Sequence, residues 1–393
     1  MTDSASGRRR TGTILAHDGP QPLGAVVPPI FQSSLFAFES VEAFEAGMAS
    51  LGETQPLYSR GHNPTVQAFE RKVAELEGAG AARAFSSGMA AISAALFSQM
   101  RAGDRVVCVQ HVYPDAFKLL TQLGPQQGWT VDFVDGRDLD AVARALPGAR
   151  VLYLESPTSQ TFQLQDLPAL AALARQHGVY SIIDNSWATP LFQRPLADGI
   201  DLVVHSASKY LGGHSDTVAG VLVGSVEDVR RINGLAYAVL GAKLSPFEGF
   251  LLLRGLRTLH LRLPAHMHAA LEIARRLEPH PEVRRVHHPG LDSHPQRSLA
   301  ARSLSGTTGL FSFELDRDDA GLRRFVNALR YFRIGVSWGG HESLVFPALV
   351  AHQHPGDLNP YTRFGISRQL IRLHVGLEDV EDLWSDLQRA LNE

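Results

Sequence analysis

Apolar segments of strand length alternate with helical segments through the middle of the chain. The strand-like runs are residues 106–110, 130–134, 151–155, 180–184, 202–205 and 220–224. Helical periodicity lies between several of them, at residues 90–100, 115–123, 139–145 and 167–177. Apolar strands separated by helices are typical of a mostly parallel sheet that is covered on both faces. The pattern therefore predicts an α/β fold with such a sheet at its centre.

The two ends of the chain follow different patterns. The first sixty residues are rich in Pro and Gly and predict an extended N-terminal arm over 1–60. We expect a large domain over 61–245 and a smaller C-terminal α/β domain over 246–393. The smaller domain should begin with a helix over 246–263 that Pro264 breaks, because proline disrupts a helix interior. Strands are expected near 310–315 and 371–375, and a final helix over 380–391.

Composition narrows the class of protein. The 393 residues, of which 44% are hydrophobic, are enough for a large core. The net charge of −3 gives no reason to expect nucleic acid or a membrane surface as a partner, and no apolar stretch is long enough to span a membrane. Cys108 is the only cysteine and lies in an apolar run, so it predicts a buried residue. A chain that cannot form an internal disulfide fits a cytoplasmic location.

The most informative chemistry follows the fifth predicted strand. Lys209 comes just after this strand, with Ser206 and Ser208 beside it, and Asp184 ends the preceding strand. Ligands of parallel sheets bind beyond the carboxyl ends of the strands, so these groups should meet in one site. A lysine that can bind an aldehyde covalently, hydroxyls beside it and an acid behind it are what pyridoxal 5'-phosphate (PLP) requires. The sequence thus predicts PLP as cofactor.

Each residue type matches one need of that cofactor. Lys209 offers the amine, and Asp184 offers an anion that keeps the pyridine nitrogen protonated so that the ring accepts electrons. Ser206 and Ser208 offer hydrogen-bond donors for the dianionic phosphate.

A second part of the phosphate site is predicted upstream, where a short strand, a turn of small residues and a helix start follow one another. Ser86 or Ser87 can cap this helix, and Gly88 lets the backbone approach closely. Free N–H groups at the helix start would then face the phosphate.

Seven ordered stretches resemble the Cys/Met-metabolism PLP enzymes, the trans-sulfuration group of fold-type I proteins. They are Tyr58-Ser59-Arg60-Gly61-His62-Asn63-Pro64-Thr65, Ser86-Ser87-Gly88-Met89-Ala90, Glu155-Ser156-Pro157-Thr158, Asp184-Asn185, Ser206-Ala207-Ser208-Lys209-Tyr210, Ser337-Trp338-Gly339-Gly340-His341-Glu342-Ser343-Leu344 and Arg372-Leu373-His374-Val375-Gly376-Leu377-Glu378. The resemblance covers nearly the whole chain. It implies a fold-type I PLP-dependent enzyme that acts on a small sulfur-containing amino acid. It also implies a homo-oligomer, a dimer of dimers.

The resemblance implies roles for residues around the cofactor. Lys209 should bind PLP covalently and then carry protons, and Asp184 should pair with the pyridinium nitrogen. The phosphate should be held by the residues Gly88, Met89, Ser206 and Ser208.

The resemblance also implies roles for residues around the substrate. Tyr113 matches an aromatic residue that stacks on the PLP ring and acts as acid or base. Tyr58 and Arg60 match a pair that reaches the phosphate bound by the neighbouring subunit. Arg372 matches the arginine that binds the substrate carboxylate, a bidentate task that suits guanidinium. The substrate site should further include Tyr58, Ser337 and Trp338.

The kind of reaction is predicted from mixed features. Trp338 stands where γ-acting members usually carry Leu, and Val336 stands where several of them carry Glu. These features, with Ser159, resemble the cystathionine β-lyase branch. Residues 58–65 instead resemble the γ-type arm, although Asp115 lies where methionine γ-lyases have a Cys near the stacking Tyr.

From this mixture we expect cleavage of L-cystathionine to homocysteine, pyruvate and ammonia. The alternative is a γ-type member: a cystathionine γ-synthase, cystathionine γ-lyase, methionine γ-lyase or O-acyl-homoserine sulfhydrylase.

Two other classes fit the sequence less well. Alternating strands and helices would also suit a dinucleotide-binding oxidoreductase, but no glycine fingerprint follows the first strands. The histidines form close pairs without a carboxylate or cysteine ligand pattern, so no catalytic metal is predicted.

Overall fold

Two β-sheets organise the part of the chain that the computed structural model describes, residues 9–50, 54–353 and 356–393. The larger sheet has seven strands in the order β1-β7-β6-β5-β4-β2-β3, namely β1 (Ala81–Phe85), β2 (Arg105–Val109), β3 (Thr130–Val134), β4 (Val151–Glu155), β5 (Tyr180–Asp184), β6 (Leu202–His205) and β7 (Gly220–Gly224). The smaller sheet has five strands in the order β10-β11-β12-β9-β8, namely β8 (Val283–His287), β9 (Leu310–Leu315), β10 (Arg333–Ile334), β11 (Leu344–Pro347) and β12 (Leu370–His374).

The larger sheet has the predicted mostly parallel character. Strands β2 to β6 run parallel to one another, whereas β7 is antiparallel to both β1 and β6. The central strands β4 and β6 are buried at every position, which explains why they are continuous apolar runs in the sequence. Glu155 and Asp184 are register partners at the carboxyl ends of β4 and β5. The sheet therefore brings its polar strand ends to one edge.

Helices surround both sheets. They are α1 (Thr11–Ala16), α2 (Val41–Ala49), α3 (Pro64–Glu77), α4 (Gly88–Gln99), α5 (Pro114–Lys118), α6 (Gly124–Gln126), α7 (Leu139–Ala145), α8 (Leu167–Gln176), α9 (Thr189–Phe192), α10 (Val226–Ile232), α11 (Ala238–Leu240), α12 (Pro246–Arg257), α13 (Leu259–Leu277), α14 (Arg297–Ser303), α15 (Asp319–Ala328), α16 (Pro360–Arg363) and α17 (Val380–Leu391). Single 3₁₀ or π turns occur at Pro22–Gly24, Leu119–Leu123, Asn233–Tyr237 and Ala348–Gln353.

Local capping chemistry fixes the start of the helix that faces the candidate site. The hydroxyl of Ser87 accepts a hydrogen bond from the Ala90 N–H at 3.0 Å, so Ser87 is the N-cap and α4 begins at Gly88. The helix therefore begins two residues before the apolar pattern alone indicates. The N–H groups of Gly88 and Met89 precede the first hydrogen bonds of this helix, so they are placed to bind a ligand.

The predicted break at Pro264 is wrong. The long helical stretch divides at Thr258, and Pro264 lies inside α13. Ser245 and Glu248 form a capping box at the start of α12, which sets the register of the first helix. Leu259 and Leu263 at the start of α13 pack into the core of the larger sheet, while residues 269–277 pack into the core of the smaller one. This burial on both sides outweighs the hydrogen bond that the proline removes.

The N-terminal sixty residues are not uniformly extended, because α1 and α2 lie within them. Ile14 and Leu15 of α1 are buried. Lys72 donates a hydrogen bond to the Leu15 carbonyl at 2.8 Å and pairs with Asp18 at 2.6 Å. Asp18 also pairs with Arg257 of α12, again at 2.6 Å. The start of the described chain is thus fastened to α3 and α12.

Separate apolar clusters lie against the two sheets. The domain boundary between residues 245 and 246 stays a prediction, since α13 contributes to both clusters. Within residues 9–50, 54–353 and 356–393, the structure contains no helix that is both long and apolar enough to cross a membrane.

Candidate active site

A cavity of about 360 Å³ opens at the carboxyl ends of β4, β5 and β6. Its walls come from the start of α4, the turn after β6 and the segment that precedes β11. Nine of the predicted site residues line it, namely Gly88, Met89, Tyr113, Asp184, Ser206, Ser208, Lys209, Ser337 and Trp338. The fold thus gathers residues that are far apart in the sequence, from Gly88 to Trp338.

Lys209 lies in the turn that follows β6. Its N–H donates to the Ser206 carbonyl at 3.1 Å, and its Nζ donates to the Ser337 hydroxyl at 2.6 Å. The same Nζ lies 5.3 Å from the centre of the Trp338 ring. Burial and, to a smaller extent, the positive charge of Arg372 lower the pKa of Lys209 to about 8, although the charge of Asp184 acts in the opposite direction. A lysine with such a pKa has an appreciable neutral, nucleophilic fraction near neutral pH.

Asp184 is buried at the end of β5 and is held by Ser186. Its Oδ1 accepts the Ser186 N–H at 2.9 Å and the Ser186 hydroxyl at 2.5 Å. The Ser186 oxygen in turn accepts the N–H of Ser206 at 2.6 Å. Burial raises the pKa of Asp184, while these hydrogen bonds and the charges of His205 and Lys209 act in the opposite direction. One hydroxyl therefore connects the acid to the turn that carries Lys209.

The start of α4 approaches the Ser206 turn so closely that a side chain would not fit. A Cβ at Gly88 would lie 2.9 Å from the Ser206 hydroxyl, and a Cβ at Gly220 would lie 2.2 Å from the Ser87 carbonyl oxygen. The Ser208 hydroxyl accepts the Ala219 N–H at 2.9 Å, so it also fixes this turn. Helix N–H groups and hydroxyls assembled in this way fit a phosphate dianion.

Tyr113 precedes α5 at one wall of the cavity. Its N–H donates to Oε2 of Glu155 at 2.7 Å, and its hydroxyl donates to Oδ2 of Asp115 at 3.0 Å. Burial is the main cause that raises the pKa of Tyr113, and the Asp115 charge adds to it. The phenol therefore stays protonated and can serve as a proton donor.

Arg372 lies on β12, just outside the lining of the cavity. It is 7% exposed, and its guanidinium donates to the Val336 carbonyl at 2.8 Å. The guanidinium also lies 5.2 Å from the Phe346 ring. Its charge nevertheless acts on Lys209, Tyr113 and Glu155. The structure brings this arginine next to the site and directs one of its N–H groups to the neighbouring backbone.

Tyr58 and Arg60 lie outside the cavity of their own chain. Tyr58 is 49% exposed and forms an isolated β-bridge with Leu35. Arg60 donates to the Ala238 carbonyl at 2.6 Å, and its guanidinium lies 5.8 Å from the Tyr58 ring. Of the predicted site residues, these two are the ones that the fold keeps apart from the rest.

Several residues of the site were not predicted. Glu155 lines the cavity beside Asp184, and its place at the end of an apolar strand was the available signal. Ser186 follows Asp184 by two residues, the spacing at which an aspartate commonly accepts a backbone N–H. Ser215 donates to Glu342 at 2.6 Å in the cavity wall, and no local pattern connects residues so distant in the sequence.

A half-buried amine, a buried carboxylate and a phosphate-sized cradle on one cavity define the site of a PLP-dependent enzyme. The family model of Cys/Met metabolism PLP-dependent enzymes matches residues 12–392. The chain belongs to this family. The protein is therefore a PLP-dependent carbon–sulfur lyase. The cofactor was predicted from Lys209 and Asp184, and the carbon–sulfur chemistry was implied by the family resemblance.

Known relatives cover almost the whole chain. It is 41% identical to the L-methionine gamma-lyase of Pseudomonas putida over 96% of each chain. It is 38% identical to the cystathionine beta-lyase of Lactococcus lactis subsp. cremoris over 94% of this chain and 95% of that protein. A crystal structure of cystathionine gamma synthase from Xanthomonas oryzae pv. oryzae, in complex with aminoacrylate and cysteine, superposes with a TM-score of 0.91 at 35% identity and covers 98% of both chains.

These relatives confirm the predicted family and the fold-type expected from the sequence. They favour the γ-type alternative over the β-lyase that we preferred from Trp338 and Val336, because the methionine γ-lyase is more similar in sequence than the β-lyase. Membership of the family leaves no support for a dinucleotide-binding oxidoreductase.

Proposed function

We propose that the protein eliminates the γ-substituent of a sulfur-containing amino acid. From L-methionine and water, the products would be methanethiol, 2-oxobutyrate and ammonia; from L-cystathionine, cysteine would leave instead of methanethiol. The observation that carries this proposal is the 41% identity to a methionine γ-lyase over nearly the full length of both chains. The presence of two proton carriers, Lys209 and Tyr113, on one cavity supports it.

The proposed roles divide binding from proton transfer. PLP, when bound, supplies an electron sink for the bond electrons released at Cα. The Lys209 amine would take the proton from Cα and, for γ-elimination, support a second proton removal at Cβ. The protonated phenol of Tyr113 would donate to the sulfur that leaves. Asp184 would keep the pyridine nitrogen protonated.

The remaining site residues would bind and orient. Gly88, Met89, Ser206 and Ser208 would hold the phosphate, since they form the cradle at the start of α4. Arg372 would bind the α-carboxylate of the substrate through the N–H groups that the Val336 carbonyl does not use. Ser337 and Trp338 would border the substrate, as both line the cavity near Lys209 Nζ.

The oxo acid that is released tests the proposed reaction. With L-cystathionine as substrate, we expect 2-oxobutyrate to exceed pyruvate at least ~10-fold, which corresponds to a difference of about 1.4 kcal/mol between the two barriers. Chromatography of the derivatised oxo acids measures the ratio, and Lys209→Ala protein supplies the background. Dominant pyruvate would mean β-elimination.

A second candidate is that same β-elimination, and Trp338 is the observation that favours it. The ring lines the cavity next to Lys209, where it limits the space for a side chain with a long γ-substituent.

If product appears only when an O-acyl-homoserine and a thiol are supplied together, the enzyme is instead a γ-replacing synthase.

We also propose that the active unit is a homo-oligomer, at least a dimer and by resemblance a dimer of dimers. Large apolar side chains are exposed over the N-terminal segment, including Leu23, Val26, Leu35, Val41 and Met48. Such an exposed set is typical of an interface. Tyr58 and Arg60 at the end of this segment would complete the phosphate site of the partner subunit.

Mixed variants test this shared site. If Arg60 acts in the partner's site, a hybrid of Lys209→Ala and Arg60→Ala subunits has one site without either change. Random pairing makes half of the dimers hybrids, so about one quarter of the wild-type activity should return after co-refolding. Lys209→Ala mixed with Asp184→Asn is the matched control, because both changes affect the same subunit's site and no activity should return. Full activity of a verified monomer would contradict the proposal.

The single cysteine supports a cytoplasmic location, which we also propose. Cys108 is buried in β2, and burial raises the pKa of its thiol, so the residue is chemically inert.

A further inference from the structure

The carboxyl group of Glu155 has no role in the reaction proposed above, although it lines the same cavity. It ends β4, is 6% exposed, and is the register partner of Asp184 on β5. Register partners on adjacent parallel strands lie on one face of the sheet, and such strands are about 4.8 Å apart. Two buried carboxyl groups therefore lie side by side at the edge where the cofactor binds.

Both oxygens of Glu155 already have partners. Its Oε2 accepts the Tyr113 N–H at 2.7 Å, and its Oε1 forms a hydrogen bond with the Ser159 hydroxyl at 2.5 Å. The Ser159 hydroxyl donates to Glu155 when the carboxyl group is ionised. Because a hydroxyl can also accept, the contact can persist when Glu155 carries a proton and donates it to Ser159. The carboxyl group therefore holds the Tyr113 wall in place and is not free to bind substrate directly.

Asp184 and Glu155 differ in how strongly their surroundings stabilise the ionised carboxylate. Asp184 receives two hydrogen bonds from Ser186 and is stabilised as an anion by the charges of His205 and Lys209. For Glu155, the charge of Arg372 favours the anion but is the smallest of the main influences on its pKa, and the Arg372 guanidinium donates to the Val336 carbonyl. Burial and the Asp184 charge raise the pKa of Glu155 from its ordinary value of 4.5 to about 8.

Two further titratable groups face Glu155, and neither contributes charge at neutral pH. Cys108 on β2 and Tyr153 on β4 both interact with Glu155, and burial raises the pKa of each well above its ordinary value. The charge balance of this edge is thus decided by Glu155 and Asp184 together with the cationic groups that act on them, Arg372, Lys209 and His205.

We propose that Glu155 and Asp184 share a single proton at neutral pH, which Glu155 holds, so that Asp184 remains the one anion available to the pyridinium nitrogen. Glu155 is then a positioning residue that sets both the Tyr113 wall and the charge beside the cofactor. This inference rests on the proposed function in one respect, namely that the ring nitrogen lies beside Asp184.

The proposal has a defined consequence for stability. The folded state raises the pKa of Glu155 above its unfolded value, so it binds the proton more tightly than the unfolded state does. The stabilisation is fully present below about pH 4.5 and decreases as the pH rises to about 8, where the folded protein also releases the proton. Above that pH, two buried anions lie side by side.

The variant Glu155→Gln tests, in the holoenzyme, whether Glu155 carries a proton at neutral pH. Glutamine is neutral at every pH, its amide oxygen can accept the Tyr113 N–H, and its NH₂ can donate to Ser159. Denaturant midpoints should be recorded from pH 5 to pH 9, together with the cofactor absorbance. We expect the wild-type midpoint to fall relative to that of Glu155→Gln as the pH rises to about 8. A wild-type absorbance change in that range should be displaced or lost in the variant. Parallel midpoint curves and unchanged absorbance titrations would overturn the proposal.

Ser159→Ala gives a second measurement that does not depend on the folding of Glu155→Gln. It keeps Glu155 but removes a hydrogen bond that stabilises the anion, so the transition near pH 8 should move to higher pH. A transition that stays in place would exclude Glu155 as its origin. Neither titration uses a substrate, so a wrong assignment of the reaction would leave these results unchanged.

Discussion

Lys209→Ala is expected to lower turnover at least ~10³-fold and to leave a folded protein that still binds PLP without a covalent link. The Lys209 amine is both the covalent anchor and the proposed proton carrier, and general acid–base groups alone contribute about 10²- to 10⁴-fold. The backbone turn does not depend on this side chain, because Ser186, Ser206 and Ser208 hold it in place. Steady-state kinetics with L-methionine and L-cystathionine measure the loss.

Two control variants show whether the loss comes from the Lys209 amine itself. One keeps the positive charge at this position, and the other removes a lysine outside the site. Lys209→Arg keeps a positive charge but cannot bind the aldehyde, so it should be as inactive as Lys209→Ala. Lys118→Ala removes an exposed amine near the cavity wall and should keep most of the activity. Substantial turnover by Lys209→Arg would show that charge, and not covalent binding, is what this position supplies.

Asp184→Asn is expected to lower kcat/KM roughly 10²- to 10³-fold, because the asparagine amide cannot hold the pyridine nitrogen in its protonated form. Removing one partner of a buried ion pair costs about 3–5 kcal/mol, or a factor of about 10² to 10⁴, and the expected loss lies in the lower part of this range because asparagine keeps the hydrogen-bonding oxygen. The asparagine oxygen can still accept the N–H and hydroxyl of Ser186, so the turn should be preserved. Steady-state kinetics measure the loss of kcat/KM, and the cofactor absorbance spectrum reports the change in protonation of the pyridine nitrogen.

The matched control for this change is Ser186→Thr, which keeps the hydroxyl that connects Asp184 to Ser206. It should retain far more activity than Asp184→Asn. Equal activity of Asp184→Asn and wild type would mean that Asp184 does not face the ring nitrogen.

Much of the fold and the cofactor part of the site could be predicted from short-range patterns. Strands β4, β5 and β6 are buried on both faces, and such strands are continuous apolar runs that the sequence displays directly. Asp184 and Lys209 follow the ends of these strands, and parallel strands bring such ends to one edge. The register partnership of Glu155 with Asp184 depends on the pairing of the strands, which the sequence does not display.

Other features depended on tertiary contacts that local patterns do not contain. Proline at position 264 predicts a break, but α13 is held from both sides by two apolar clusters and continues through it. The helix α1 forms within a segment whose Pro and Gly content predicts extension, because Ile14 and Leu15 are buried against the large core. The helix α2 lies in the same segment and begins after Ser40, whose hydroxyl accepts the Ala43 N–H. The direction of the Arg372 guanidinium depends on Val336, which lies on a different segment of the chain.

Residues of the site and overall sequence identity favour different reactions. Trp338 and Val336 resemble the β-lyase branch, whereas overall identity favours the γ-lyases. β- and γ-elimination share Lys209, Asp184 and the phosphate cradle, and they differ in how the walls orient one side chain and deliver one more proton. Product identification therefore tests the reaction independently of the cofactor site.

Peptide mapping after borohydride reduction tests the central claim most directly. The purified holoenzyme is reduced, digested and analysed by mass spectrometry for a phosphopyridoxyl group on lysine. The other lysines are Lys72, Lys118 and Lys243, so each candidate peptide can be assigned without ambiguity. We predict the group on Lys209 and its absence from the reduced Lys209→Ala protein. A reduced adduct on another lysine, or on none, would contradict the assignment of this cavity as the PLP site.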